Sequence, residues 1–171
     1  MKRTKIDFSK HELTITQINE KATTHLLKKP DTYIHSVKFT NIDGVLLVTG
    51  DFGNWVFCRS FYPSKDEKVS DGYWCEKAVI SSTQITHEYD SEKTEKSIKE
   101  LLQEDWNEEE KEYLNELLDH TYDGREYKDY AYNHRPSGFE YESIPYGESV
   151  KPWLKAVFDA FDEICDRVKQ S

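Results

Sequence analysis

The chain has 171 residues, 36% of them hydrophobic, and its 33 Asp or Glu against 23 Lys or Arg give a formal net charge of −10. That length suits one domain with an adequate core, and the negative balance argues against a protein that grips phosphate backbones through bulk charge. Three unevenly spaced cysteines, Cys58, Cys75 and Cys165, indicate neither a disulfide framework nor a zinc knuckle, and no apolar run approaches membrane-spanning length.

In chain order, the start MKRTKIDFSKHE has charges but no apolar stretch behind them, so a cytoplasmic protein is expected, neither exported nor membrane-bound. Residues 9–30 predict a helix: Ile15, Ile18, Ala22 and Leu26 recur at three- and four-residue steps. Thr14 and Gln17 supply a capping box, and Lys28, Lys29 and Pro30 mark the end. From Tyr33 the period becomes two, with Tyr33, His35, Val37 and Phe39 on one face of a strand. Asp43–Gly44 makes a tight turn into VLLVTG. A second turn, GDFGN, leads into WVFCRSF, where Trp55, Phe57, Arg59 and Phe61 share a face. Residues 33–61 therefore predict a three-stranded antiparallel meander.

Residues 62–72 read as a polar loop, and YWCEKAVISS as a short strand on the weight of its β-branched tail. All the surplus charge lies beyond it, since residues 85–130 hold 16 Asp or Glu and 6 Lys or Arg, a net of −10. Within that stretch residues 92–104 predict one helix. A second starts at Asn107, with Glu108, Glu109 and Glu110 in its positive first turn and Tyr113, Leu114, Leu117 and Leu118 as its buried stripe. A short helix rich in rings follows and stops before Pro136, and residues 136–148 are irregular. A last helix starts near Ser149, tolerates Pro152 in its first turn, and buries Trp153, Val157, Phe158, Phe161, Ile164 and Val168. The fold class expected is α+β: a single domain, 1–171, with a small antiparallel meander packed by the N- and C-terminal helices and an acidic helical lobe at 88–134.

The motifs that carry chemistry are few. Asp51–Gly53 matches the DFG of protein kinases, but the glycine-rich loop, strand lysine and HRD loop are missing, so a hairpin turn with Asp51 bonding its own backbone is expected. No HExxH occurs, the stretch Asp66–Glu76 fits a calcium loop poorly, and no metal or cofactor is expected. Cys58 with His35, oriented by Asp51 or Asn54, is the one arrangement that suggests a nucleophile; an inert thiol is the competing reading. Arg59, among Trp55, Trp74 and Glu76, is either tied to a local acid or part of a pocket for a small anionic ligand, a nucleotide, or an arginine-bearing partner.

The acidic segment is either a solubilising pair of helices or a surface whose carboxylates stand in for phosphates, with tyrosines at 113, 122, 127, 130 and 132 interleaved. On the second reading Asp105, Glu108, Glu109, Glu112, Glu116 and Asp119 carry the contact. The partner is then a basic protein surface rather than nucleic acid itself, most directly that of a nucleic-acid-binding nuclease.

The stretches LLKKPDTYIHS, GDFGNWVFCRSFYPS, VSDGYW and FDAFDEIC resemble a group of small proteins encoded by bacteriophages and mobile elements of gut Firmicutes and related bacteria. The resemblance runs over most of the chain and brings no catalytic residues with it. It implies the company of anti-CRISPR and other anti-defence inhibitors. The expected function is then a non-enzymatic inhibitor in the bacterial cytoplasm that competes with nucleic acid for the channel of a CRISPR effector. A small-ligand protein and a Cys58-dependent enzyme are the alternatives.

Overall fold

A computed structural model describes residues 5–66, 69–81 and 86–169, without the side chains of 80 and 81. Residues 67 and 68 of the predicted loop, residue 85 at the head of the acidic segment and the first four residues lie outside the described part. The chain divides into two compact units, residues 1–86 with 150–171, and residues 87–149. The lobe expected at 88–134 falls inside the second. Together they form the α+β fold that the sequence predicts.

The first unit is a six-stranded antiparallel sheet in simple meander order: β1 (Glu12–Asn19), β2 (Ala22–Lys29), β3 (Thr32–Ile42), β4 (Val45–Gly50), β5 (Trp55–Phe57) and β6 (Ala78–Ser81). A short helix, α1 (Asp71–Lys77), capped by the Ser70 hydroxyl, separates the last two strands. The helix predicted over 9–30 is thus the hairpin β1–β2. Its helical spacing is a coincidence laid over β-branched runs, ITQI and ATT, that fit a pleated surface better than a helix turn. Gln17 caps no helix; its amide oxygen accepts from the Thr23 hydroxyl across the hairpin (2.8 Å), and Asn19 accepts from Lys21 N (2.8 Å) to form the turn. YWCEKAVISS, read as one strand, is the end of α1 followed by β6 as far as Ser81, and its last residue lies outside the described part.

The remaining turns follow local chemistry. Asp43 and Gly44 both have positive φ, 44° and 89°, the two-residue hairpin geometry that the Asp-Gly pair signals. Gly50 lies so close to β3 that a Cβ would sit 2.3 Å from the Ser36 carbonyl. Asp51 accepts from the backbone of His35 (2.6 Å) rather than its own, and so holds the positive φ of His35.

One face of the sheet is covered by the last helix, α5 (Pro152–Lys169). Its wide apolar stripe, Leu154, Val157, Phe158, Phe161, Ile164 and Cys165, meets Leu27, Val37, Phe39, Leu46, Val48 and Phe57 in a single core. Phe161 is the hub, with Trp74, Phe61 and Phe39 at ring-centroid distances of 4.6, 4.7 and 4.8 Å. Trp153 is in phase with this stripe but sits in the first turn, where Phe52 lies 6.4 Å away, and stays 60% exposed. The N-terminal segment is strapped to α5 by Arg167, which donates to the carbonyls of Phe8 (2.8 Å) and His11 (2.5 Å).

Among the described residues two histidines here are buried with ring nitrogens that have no hydrogen-bond partner, His11 at both and His25 at Nδ1. Burial pushes both below the ordinary histidine value, and Lys29 adds to the effect at His11. They stay neutral in the folded protein at a pH where the unfolded chain, titrating near about 6.5, takes up protons. Their share of stability is complete above that value and is lost as pH falls through it. The urea midpoint is therefore expected to drop between about pH 7.5 and about pH 5.5, and to drop less in His25→Phe. An unchanged midpoint would contradict the argument.

The second unit has its own core. Ile98 of α2 (Ser91–Leu101), Tyr113, Leu114 and Leu117 of α3 (Glu108–Asp119), Tyr127 and Ala131 of α4 (Gly124–Asn133), and Phe139 pack together. Its tyrosines pay their polar debts inward: Tyr113 donates to the Ala131 carbonyl (2.8 Å) and Tyr127 to that of Pro145. Two short strands, β7 (His87–Tyr89) and β8 (Glu148–Val150), pair near its two ends.

Candidate functional site

Charge divides as the units do. Residues 87–149 carry 19 Asp or Glu and 7 Lys or Arg, a net of −12, and the other unit carries 14 and 16, a net of +2. Helix α3 concentrates that charge. It is started by a full capping box, Asn107 accepting from Glu110 N (2.9 Å) while Glu110 accepts from Asn107 N (3.1 Å). With Tyr113, Leu114 and Leu117 turned into the core, Glu108, Glu112, Asn115 and Asp119 recur at three- and four-residue steps on the outward side, flanked by Glu109 and Glu116.

Five of the expected contact residues, Glu108, Glu109, Glu112, Glu116 and Asp119, are exposed on this one helix, and the sixth, Asp105, is exposed in the turn before it. Some of the charge is used locally. Glu108 has Lys111 at 3.7 Å, and on α2 Lys96 and Lys99 pair with Glu100 and Glu95. No ion pair is formed by Asp105, Glu109, Glu112 or Asp119 among the described residues.

At the far end of α3 the acidic stripe meets a ring stack that the sequence reading passed over. Tyr130 lies between His120 and His134, at 3.9 and 4.1 Å between centroids and within 18° and 9° of parallel. The four-residue step from Tyr130 to His134, the C-cap of α4, is the available signal; His120 arrives as the C-cap of α3 and leaves none. The Tyr130 hydroxyl donates to Glu116 (2.7 Å). That bond, then burial, then the negative charges of Glu116, Asp119 and Glu112 push the phenol up to about 12. Glu116→Gln is expected to bring it back towards the ordinary value of about 10, read by NMR titration of the Tyr130 ring. No change would mean that the acidic stripe exerts no field there.

Of the two readings of the aromatic and arginine patch, the structure shows the arginine tied to a local acid. Trp55 and Trp74 are each 2% exposed, because both are core residues, and only Glu76 faces solvent. Arg59 does stack on Trp74, at 4.7 Å, but its guanidinium is bound at 2.5 Å to Asp66, which is itself buried. It braces the loop after β5 through Nη2, while among the described residues its buried Nη1 has no hydrogen-bond partner. Cys58 is exposed just beyond β5, and His35 stacks on Phe52; no hydrogen bond joins them among the described residues. Cys75 and Cys165 are pushed up by burial to about 11 and about 12, which keeps both thiols protonated and inert. Among the described residues no group of three or more His, Cys, Asp or Glu is placed to hold a metal ion, and no helix is long and apolar enough to cross a membrane.

No protein-family pattern, curated protein or solved structure matches the chain. The acidic face must therefore be interpreted from its own geometry. Helix α3 carries six carboxylates in 12 residues. At about 1.5 Å of rise per residue that is one per roughly 3 Å of axis, close to the one charge per about 3.4 Å of a single nucleic-acid strand.

Proposed function

We propose that this chain is a non-enzymatic inhibitor of the bacteriophage type, which uses the acidic unit at 87–149 to occupy the basic nucleic-acid surface of a host defence nuclease, a CRISPR effector. Nucleic-acid channels hold phosphates through Lys and Arg, and carboxylates at the charge density of a strand compete for the same side chains.

One observation carries the proposal beyond solubility. Glu116 and Asp119 lie in the last turn of α3, where the helix dipole is negative and no basic residue offsets it. Each carboxylate there costs about 0.3–1 kcal/mol, whereas a helix selected only for solubility gains by placing lysine at that end. Glu116 is held by the Tyr130 hydroxyl of the same unit, whereas Asp119 makes no ion pair among the described residues, and acid kept there against the dipole serves a contact outside the helix.

The test is competition. The purified full-length chain, titrated against guide-loaded CRISPR effectors, is expected to block cleavage of target DNA at low salt and to lose potency as salt rises, because exposed charges are screened within about 10 Å at 0.1 M. Absence of inhibition across effector classes at low salt, or inhibition indifferent to salt, would remove this reading.

A further inference from the structure

The covered face of the first unit is not covered throughout. From the row of His25 and Phe39 the same face continues to Thr23 and Asn41, which are paired with each other across β2 and β3. These residues line a cavity of about 440 Å³, whose other lining includes Ser60, Phe61 and Tyr62. That volume lies within the range of small-molecule sites, roughly 300–1,000 Å³.

The walls are pre-organised. The Asn41 amide accepts from Phe61 N (2.8 Å) and donates to Phe61 O (2.7 Å), clamping the loop as though it were a further strand. Asp66 accepts from Tyr62 N (2.6 Å) while it holds Arg59. At the mouth the two hairpin turns are joined, Asp43 N donating to Lys21 O (3.1 Å) and the Lys21 ammonium resting 3.4 Å from the Asp43 carboxylate. Buried polar side chains gather here, with His25 6%, Ser60 8% and Asn41 9% exposed.

His25 is the informative one. A phenylalanine in its place would pack against Phe61 without polar cost, whereas a sealed, unpartnered ring nitrogen costs about 1–3 kcal/mol. An orphaned buried donor is less tolerable than an orphaned acceptor, so the proton belongs on Nε2, which leaves that N–H for an occupant of the cavity. The charges at the mouth disfavour an anion, since the carboxylates of Glu20 and Asp43 outnumber the ammonium of Lys21. Beside the hydroxyl of Ser60 stand the edge of Phe61 and the ring of Tyr62, which is 54% exposed and free to stack.

We propose that this cavity is a binding site for an uncharged, hydroxyl-bearing heterocycle of nucleoside size. Nε2–H of His25 donates to a ring acceptor, Tyr62 stacks on the heterocycle, and the hydroxyls of Thr23 and Ser60 meet those of the sugar. The site is built from the first unit alone and does not rest on the role given to the acidic face.

The experiment is an NMR titration of the full chain with adenosine, guanosine, cytidine and uridine into the millimolar range. Saturable shifts are expected at His25, Asn41, Ser60 and Tyr62 for at least one of them, with the matching 5′-monophosphate at least about tenfold weaker. His25→Phe is expected to weaken binding about tenfold or more. Tyr62→Ala, at an exposed position, supplies the same test should the histidine variant fail to fold. Glu112→Lys is expected to leave nucleoside binding unchanged, so that loss of the inhibitory role and loss of this site are told apart. No saturable shift with any nucleoside, monophosphates bound as well or better, free ribose bound equally, or full affinity in His25→Phe or Tyr62→Ala would overturn the assignment.

Discussion

Replacing Phe161 by alanine is expected to destabilise the protein by about 3–5 kcal/mol, the cost of a large buried ring removed from a core that cannot close around the gap. The ring is 4% exposed and touches aromatic neighbours from four elements and a loop: Phe39 on β3, Phe57 on β5, Trp74 on α1, Phe158 on its own helix and Phe61 in the loop after β5. Each well-oriented pair adds about 0.5–1.5 kcal/mol beyond area burial. Collapse is opposed because Phe39 and Phe57 are fixed by strand pairing and Phe61 by the Asn41 clamp. With a urea dependence of about 2 kcal/mol per molar, the midpoint should fall by about 2 M at unchanged slope. Tryptophan fluorescence is a suitable readout, because Trp74 stacks on the missing ring. Trp153→Ala, at a position 60% exposed, should stay within about 0.5 kcal/mol. A loss under about 1 kcal/mol for Phe161→Ala would mean that this cluster repacks freely and that the hub description is wrong.

The contrast between those two residues shows what the sequence could and could not convey. Periodicity along Trp153–Val168 identifies the helix and most of its buried stripe, because an 18-residue amphipathic helix averages out single exceptions. It cannot report where the helix outruns its partner surface, so Trp153 is misplaced. The three acidic-unit helices and the Asp43–Gly44 hairpin were legible for a related reason: caps, glutamate-rich first turns and positive-φ dipeptides are local devices. The β1–β2 hairpin was not, since a run such as ELTITQIN satisfies both periods over a short window and only pairing with β2 and β3 decides between them. Arg59 was legible as a stacked arginine, but its acid partner lies seven residues ahead in a loop with no regular period. The exposure of the acidic residues could be read from one helix. The His25 cavity could not, because its lining comes from two hairpins and a loop.

Reversing charge at Glu109, Glu112 and Asp119 is expected to weaken inhibition of the nuclease strongly while leaving the fold intact. All three are exposed and none is ion-paired among the described residues, so no internal contact is broken. Asp119→Lys even places a cation at the negative end of α3, which should offset the small cost of Glu109→Lys in the first turn. At the interface each exposed pair contributes about 0.2–1 kcal/mol, and reversal both removes that attraction and adds a comparable repulsion. Three reversals then sum to about 1.2–6 kcal/mol, a loss of roughly 8- to 25,000-fold in affinity. The slope of log affinity against log salt should also flatten, since fewer charge contacts remain to be screened. The decisive control is an equal change of charge elsewhere: Glu12→Lys, Asp31→Lys and Glu76→Lys, all exposed in the first unit. Long-range attraction by net charge alone predicts equal losses for both triples, because both shift the protein by six charges. Mimicry by one helix predicts a loss for the α3 triple and near-normal inhibition for the other. Equal losses would reduce the acidic unit to a steering field, and normal inhibition by both would release α3 from the interface altogether.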